Sequence, residues 1–434
     1  MKDTHESLSE TARIARDLIR FDTSNWGNGV ANSETEAAHY VGDFLESLGL
    51  TVQYIDAAPG RTSVVTRVAG ANPDLPALVV HGHLDVVPVD PAAWSVDPFA
   101  GEIRDGMLWG RGAVDMKDMD AMILTSLAEI LRAGDKPNRD LVVAFFSDEE
   151  SGGEFGSHYV VTQHPEVFEG ATEAISEVGG YSVTLGDQRA YLIQSGEKAL
   201  IWATLTARGE AAHGSRVIPN NAVTKLAEAV VRLGRTEWPV TLTSTTTALV
   251  EQLADILGFD RDADPRDIVR ASGLAAGFLL PSLSTTSNPT QLNAGYKQNV
   301  IPDSASAVMD IRPLPGAETA VLAEIRDIVG PDIEITIQVQ DVGLENDFDT
   351  PIVDAMKRTL LAADPGAVML PYLLSGGTDN KALSLIGITG YGFAPLRLPA
   401  DLDFPGMFHG VDERVPLDAL DFGHRVLTDF LRTY

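Results

Sequence analysis

The chain has 434 residues, with 62 Asp and Glu against 32 Lys and Arg, a length that suggests two or three domains. Its 44% hydrophobic and 22% charged residues suit a folded globular protein, and a formal charge of −30 at pH 7 opposes binding to nucleic acid or to an anionic membrane. It contains no cysteine, which excludes disulfide frameworks, thiolate nucleophiles and Cys-based metal sites, so any metal must be held by His and carboxylates.

The first residues carry charges throughout without the apolar core of a signal peptide, and no run of 18 apolar residues follows, which predicts a cytoplasmic protein without a membrane anchor. Residues 4–22 place Leu8, Ile14, Leu18 and Phe21 near helical spacing, and residues 33–48 open on the capping pattern Ser33-Glu34-Thr35-Glu36 and end at Gly49. Short β-rich runs at 51–55, 63–68 and 77–80 precede a helix over 119–131 and an apolar strand over 141–146. Strands alternating with helices predict an α/β sheet, in which functional residues gather where strands end. After Gly196 the pattern becomes strand 198–207, helix 221–233, strands at about 295–299 and 304–311, helix 318–328 and strand 333–339, the βαββαβ order of a ferredoxin-like module. This module, 197–345, interrupts a first domain made of residues 1–196 and 346–434. The stretch 236–292, with a candidate helix at 249–257, has no place in either pattern.

Five segments carry the chemistry. His81-Gly82-His83-Leu84-Asp85 follows an apolar strand and sets His83 and Asp85 at its end; a nearby carboxylate fixes a metal-binding His tautomer, and incidental surface histidines are the plain alternative. Asp115 lies in a Gly-rich loop, 109–117, that lacks the third glycine and preceding strand of a dinucleotide fingerprint; it either bridges metal ions or caps the following helix. Asp148-Glu149-Glu150 ends strand 141–146, which is either a solvated acidic loop or a division of labour between metal binding and proton transfer. Glu177 follows another short apolar run, and His409 sits in a turn near the C-terminus.

Taken together, HGHLDVVP at 81–88, WGRGAVDMK at 109–117, SDEESGG at 147–153, NVIPDSASAVMDIRPLPG at 299–316 and FHGVDERVP at 408–416 closely resemble the co-catalytic zinc metallopeptidase family of aminoacylase, carboxypeptidase G, acetylornithine deacetylase and succinyl-diaminopimelate desuccinylase. The long stretch 236–292 is loosely similar to the carboxypeptidase S branch. The resemblance implies a zinc-hydrolase domain with a mixed sheet and flanking helices, interrupted by a ferredoxin-like α+β lid that also mediates dimerisation. It implies two zinc ions per subunit, replaceable by cobalt or manganese. His83, Asp115 and Glu177 would surround one zinc, and Asp115, Glu150 and His409 the other. Asp85 would orient His83, Glu149 would be the general base, and the peptide bond Asp115–Met116 would be cis. The position filled here by Glu177 is Asp in many relatives.

A water shared by two zinc ions would lose its proton to Glu149 and attack an amide carbonyl, with Glu149 then protonating the leaving amine. The resemblance assigns oxyanion stabilisation to His213, often from the partner subunit, a substrate-carboxylate clamp to Arg312, and further substrate contacts to Asn299 and the loop Ser375-Gly376-Gly377-Thr378-Asp379. His81 buttresses its turn, and His5, His39, His158, His164 and His424 lack acidic partners at metal-ligand spacing. No HExxH, GxSxG or Walker motif occurs. The expected activity is hydrolysis of N-acyl amino acids or short peptides with a free C-terminal carboxylate by a homodimer. A dipeptidase acting on free amines is the alternative, and an inactive metal-bound binding protein is a third reading, opposed by the complete set of ligands and base.

Overall fold

The runs at 77–80 and 141–146 become the strands Ala77–His83 and Leu141–Phe146, buried at every residue and paired in parallel with His83 opposite Phe146. The computed structural model describes residues 8–27 and 29–434. These two strands lie inside a ten-stranded mixed sheet, flanked by Arg61–Val68 on one side and Ala171–Ser176 on the other. The sheet continues through Thr389–Gly392 and Gln188–Glu197, and Val368–Leu374 pairs in parallel with the latter. The segments after residue 350 therefore complete the first sheet, as the sequence pattern suggests. Near-continuous apolar runs are what a doubly covered parallel strand needs. Leu78, Val80, Val143 and Phe145 face a core shared with the helices Glu10–Ile19, Lys117–Arg132 and Leu417–Thr433, while Val79, Val142, Ala144 and Phe146 face a second core containing Val160, Val161 and Leu383.

A separate four-stranded antiparallel sheet runs in the order Thr286–Ala294, Ser304–Arg312, Ile201–Arg208, Ile333–Gln340. Its alternating inward residues, including Ala203, Leu205, Ala307 and Met309, pack with Leu226, Leu233 and Ile325 of the helices Ala222–Gly234 and Glu318–Val329. In sequence order its strands lie 2-3-1-4, the ferredoxin-like arrangement.

The structure corrects several boundaries. The second strand of this sheet is 286–294, not 295–299; it is an exposed edge strand whose register shifts between Pro289 and Gln291, so neither apolar alternation nor an uninterrupted ladder marks it. Residues after it turn at Gly295, and Val300–Ile301 pairs with Ala212–His213. The helix expected from residue 33 is Thr35–Ser47, and Ser33 Oγ accepts only the Thr35 amide because Glu34 is buried against Arg61. The first helix is Glu10–Ile19, capped by Ser9; the expected start at residue 4 lies outside the described residues, as does His5.

The stretch 236–292 forms the helices Ser244–Leu257, Pro265–Arg270 and Ala276–Leu279 before entering its edge strand. Leu249, Leu253, Ile268 and Leu279 are fully buried in the core of the large sheet, not in that of the smaller one. A capping box between Thr243 and Thr246 starts the first of these helices five residues ahead of its apolar pattern. Among the described residues, no helix is long and apolar enough to cross a membrane. Leu253→Ala is expected to destabilise the fold by about 2–5 kcal/mol in urea unfolding; a change near zero would show that this excursion is not docked on the core.

Candidate metal centre and cavity

Parallel pairing sets the strand ends side by side. Beyond the edge shared by Ala77–His83, Leu141–Phe146 and Ala171–Ser176 come, in turn, His83 to Asp85, Asp148 to Glu150, and Glu177. His83 is buried, with Nδ1 3.0 Å from the main-chain oxygen of Asp85 and Nε2 3.1 Å from Asp115 Oδ1. A proton on Nδ1 donated to that carbonyl leaves Nε2 as the ligand atom. Glu177 Oε2 lies 3.7 Å and Glu149 Oε2 3.9 Å from the same nitrogen. On the other side of Asp115, Oδ2 is 3.2 Å from His409 Nε2, which is also 3.2 Å from Glu150 Oε2. Asp115 thus stands between the two imidazoles with one oxygen toward each.

The loops are held by buried acids. Glu413 accepts the amides of Val114 and Asp115 at 2.7 and 3.2 Å and pairs with Arg111 at 2.6 Å, which fixes the loop carrying Asp115. The Asp115–Met116 peptide is cis. Asp85 stands beside His83 Nδ1 through both its main-chain oxygen, at 3.0 Å, and its carboxylate Oδ1, at 3.6 Å. Its main-chain oxygen orients His83, while its carboxylate accepts the amides of Glu149 and Glu150 at 3.0 and 3.1 Å and the Asn25 side chain at 2.9 Å, so it shapes the acidic loop.

Burial, reinforced by Glu177, Asp379 and Glu150, pushes the Glu149 carboxyl well above the usual range, and burial with the Asp115 charge pushes Glu177 up to about 8. Burial would raise Asp115 as well, but the hydrogen bonds from His409 and His83 outweigh it and hold this carboxyl well below its usual range. Converging His and carboxylate donors of this kind fit divalent cations, which relieve the repulsion among them. One donor atom each from His83, Glu149 and Glu177 lies within 4.8 Å of the others, and so do those of His83, Asp115 and Glu150. Glu149 therefore sits among the donors as well as beside them.

The cluster opens into a cavity of 370 Å³ lined by Glu149, Glu150, Glu177 and His409 at one end. Tyr181, Phe278, Tyr372 and Phe408 form an aromatic wall, with Phe278 edge-on to Tyr372 at 5.3 Å and 6.0 Å from Tyr181. Phe278 comes from the excursion that the sequence leaves unplaced. Arg312, Gly376, Gly377 and Thr378 line the cavity as expected. Arg312 is held in a bidentate pair with Asp310 at 2.7 and 2.9 Å. The amide and hydroxyl of Thr378 are both committed to Glu197, so Thr378 shapes the wall without offering a free donor.

His213 and Asn299 are not brought to the cluster. Both are exposed on the loop pair beside Ala212–His213 and Val300–Ile301, with His213 Nδ1 2.9 Å from Ser215 Oγ. His158, assigned no role from sequence, lines the cavity. His164 and His424 each have one acid at 3.3 Å, Glu166 and Glu129, contrary to expectation, but His39 packs on Tyr54. His81 buttresses its turn through Nε2, 2.9 Å from Asn380 Oδ1. Sequence reasoning missed Asn25, Glu413, Lys381 and the aromatic wall; of these, Glu413 and Phe408 lie within a motif, 408–416, that could have flagged them. Glu413→Ala is expected to cost about 3–5 kcal/mol in urea unfolding, because it strands the buried Arg111 charge; unchanged stability would show that the Asp115 loop is held otherwise.

Residues 79–433 match the sequence family described as Peptidase family M20/M25/M40. The chain is 29% identical over 386 residues to N-fatty-acyl-amino acid synthase/hydrolase PM20D1 of Xenopus tropicalis, covering 83% of this chain and 73% of that protein. It is 26% identical over 395 residues to aminoacylase-1 of Sus scrofa, covering 87% and 85%. The fold matches an M20 family metallo-carboxypeptidase from Sulfolobus solfataricus with a TM-score of 0.76 at 18% identity, over 98% of this chain and 99% of that one. With its strand-end cluster of His and carboxylates inside the matched region, the chain belongs to the M20/M25/M40 peptidase family and is a hydrolase of the metallopeptidase and amidohydrolase type.

Proposed function

We propose that this enzyme hydrolyses the amide bond of N-acyl amino acids, or of blocked short peptides, whose amino-acid part carries a free carboxylate. The observation that carries this reading is that one cavity is lined by the His and carboxylate cluster, by a group of aromatic side chains and by Arg312. The aromatic wall suits a bulky apolar acyl group. Arg312, oriented by Asp310 through Nε and Nη2, keeps Nη1 for the substrate carboxylate.

In this proposal His83, Asp115 and Glu177 hold one divalent cation and Asp115, Glu150 and His409 a second. Zinc is the first choice, and cobalt or manganese are acceptable to the same donors. The two cations supply Lewis acidity toward the scissile carbonyl and lower the pKa of a water. Glu149 takes the proton of the attacking water and returns it to the leaving amine. Asp85 sets the position of Glu149 by accepting the hydrogen bond of its main-chain amide. His213 and Asn299, exposed together on the smaller sheet, are assigned to the cavity of a second copy in a homodimer. We assign residues 1–196 and 346–434 to the catalytic domain and 197–345 to the lid, with the helical excursion from 244 to 279 leaving the lid to wall the catalytic cavity.

A dipeptidase reading has one observation in its favour, the buried carboxylate of Asp379 in the same cavity, which could receive a free ammonium. Assay of metal-reconstituted enzyme on N-acyl amino acids and on free-amine dipeptides, each with and without the terminal carboxylate, separates the two. Cleavage confined to blocked, carboxylate-bearing substrates is expected, and preference for free amines would overturn the first reading in favour of the second.

Glu149→Ala is expected to keep about two metal equivalents by elemental analysis while kcat falls by about 10²- to 10⁴-fold; loss of a metal equivalent would make Glu149 a ligand. Light scattering is expected to give a dimer, and a fully active monomer would remove His213 and Asn299 from the mechanism.

A further inference from the structure

Arg312 and Lys381 both line the cavity, and their surroundings differ. Arg312 is neutralised by its bidentate pair with Asp310. Lys381, on the short helix Asn380–Ser384, lines the same cavity and is only 3% exposed, yet makes no ion pair with a carboxylate among the described residues. Its one hydrogen bond is from Nζ to the main-chain oxygen of Lys198, at 2.8 Å. The other two fully buried lysines are better provided for. Lys198 donates to Pro281, Ser284 and Thr286 at 3.0, 2.9 and 3.2 Å, and Lys117 to Phe21 and Thr23 at 3.0 and 3.2 Å. Neither of those lysines lines the cavity.

The carboxylates of Glu197, Asp341 and Glu149 act on Lys381 without an ion pair to it, and the Glu197 oxygens accept from the Thr378 amide and hydroxyl and the Gln194 side chain. The glycine loop makes room for the ammonium. A Cβ at Gly377 would lie 2.9 Å from both Cε and Nζ of Lys381, so this position needs a glycine if the lysine is to stay where it is. A buried ammonium with unused N–H donors beside a cavity is costly unless an anion completes it.

We propose that Lys381 is a substrate-binding residue, the second arm of the carboxylate clamp, supplying an ammonium with unused donors and no ion pair beside an Arg312 already paired with Asp310. The proposal rests on the N-acyl amino acid reading and deepens it. It predicts that the free carboxylate of the amino-acid part is held between the Arg312 fork and the Lys381 ammonium, against the loop 375–377.

The test compares wild type, Lys381→Met, Lys381→Gln and Lys381→Arg on an N-acyl amino acid and on its C-terminal carboxamide. Gln keeps a donor for the Lys198 carbonyl while removing the charge, so it serves if Met does not fold. Loss of one charge-assisted hydrogen bond is expected to raise KM for the acid by about 10- to 150-fold. The change in kcat should be smaller, and kcat/KM for the carboxamide should fall by much less than for the acid. Arg should restore most of the preference for the acid. Equal losses on acid and carboxamide would reduce Lys381 to a structural role, and an unchanged KM for the acid would also overturn the proposal. If wild type cleaves neither compound, the N-acyl amino acid reading has failed. Calorimetric binding of the free N-acyl acid against its carboxamide, in wild type and Lys381→Gln, then decides the clamp alone: weakened binding of the acid only supports it, and equal binding overturns it.

Discussion

Asp115, with one carboxylate oxygen toward His83 and the other toward His409, is the contact on which the rest of the site depends. It gathers Glu150 and Glu177 into the same small volume, with Glu149 at its border, and like charges so placed repel unless cations or protons separate them. Holding them together is work for the scaffold. Parallel pairing of the strands fixes three of the loops at one sheet edge. Glu413 and Arg111 fix the loop that carries Asp115, and the Asp85 carboxylate takes the amides of Glu149 and Glu150. Glu413, Arg111 and Asp85 are themselves buried, so the centre rests on a second layer of acids whose partners are main-chain amides, the Asn25 side chain and one arginine.

The cavity inherits its asymmetry from where its walls originate. One wall is aromatic, built from Tyr181 and Tyr372 at the large sheet and from Phe278 on a helical excursion that starts in the smaller unit and packs on the larger core. The basic part of the lining comes from Arg312 on the smaller sheet, with Trp202 hydrogen-bonded to its partner Asp310, and from Lys381 beside the glycine loop on the larger. An amide with an apolar acyl part and an anionic amino-acid part matches both parts of the lining, with the strand-end cluster at the end of the cavity. Because Arg312 comes from the smaller sheet and the cluster from the larger, relative movement between the sheets would change the fit to substrate and the exclusion of water together.

The strands at 77–83 and 141–146 were legible because buried parallel strands read as uninterrupted apolar runs, and the helix at 117–132 because of its apolar periodicity, whereas the helices Pro351–Ala363 and Leu417–Thr433 were not read from the sequence. The edge strand 286–294 was not, since its residues are mostly exposed and Pro289 breaks the ladder. The helix from Ser244 was seen only over its apolar second half, its first turn being Ser and Thr. At the site, Glu149, Glu150, Asp115, Glu177, His83 and His409 converge as their motifs implied. The role expected of the Asp85 carboxylate is shared between its main-chain oxygen and its side chain, and Thr378 is occupied by Glu197.

By itself the sequence determined the α/β class, the interrupted order of elements and the identity of the groups able to hold metal and move protons, because these depend on local apolar patterning and on residues placed where strands end. Tertiary structure alone decided which buried charges are compensated. Whether Arg312 is neutralised, whether Lys381 is left with unused donors, and which core receives the 244–279 excursion depend on contacts between segments far apart in the chain, and no spacing along the sequence encodes those distances.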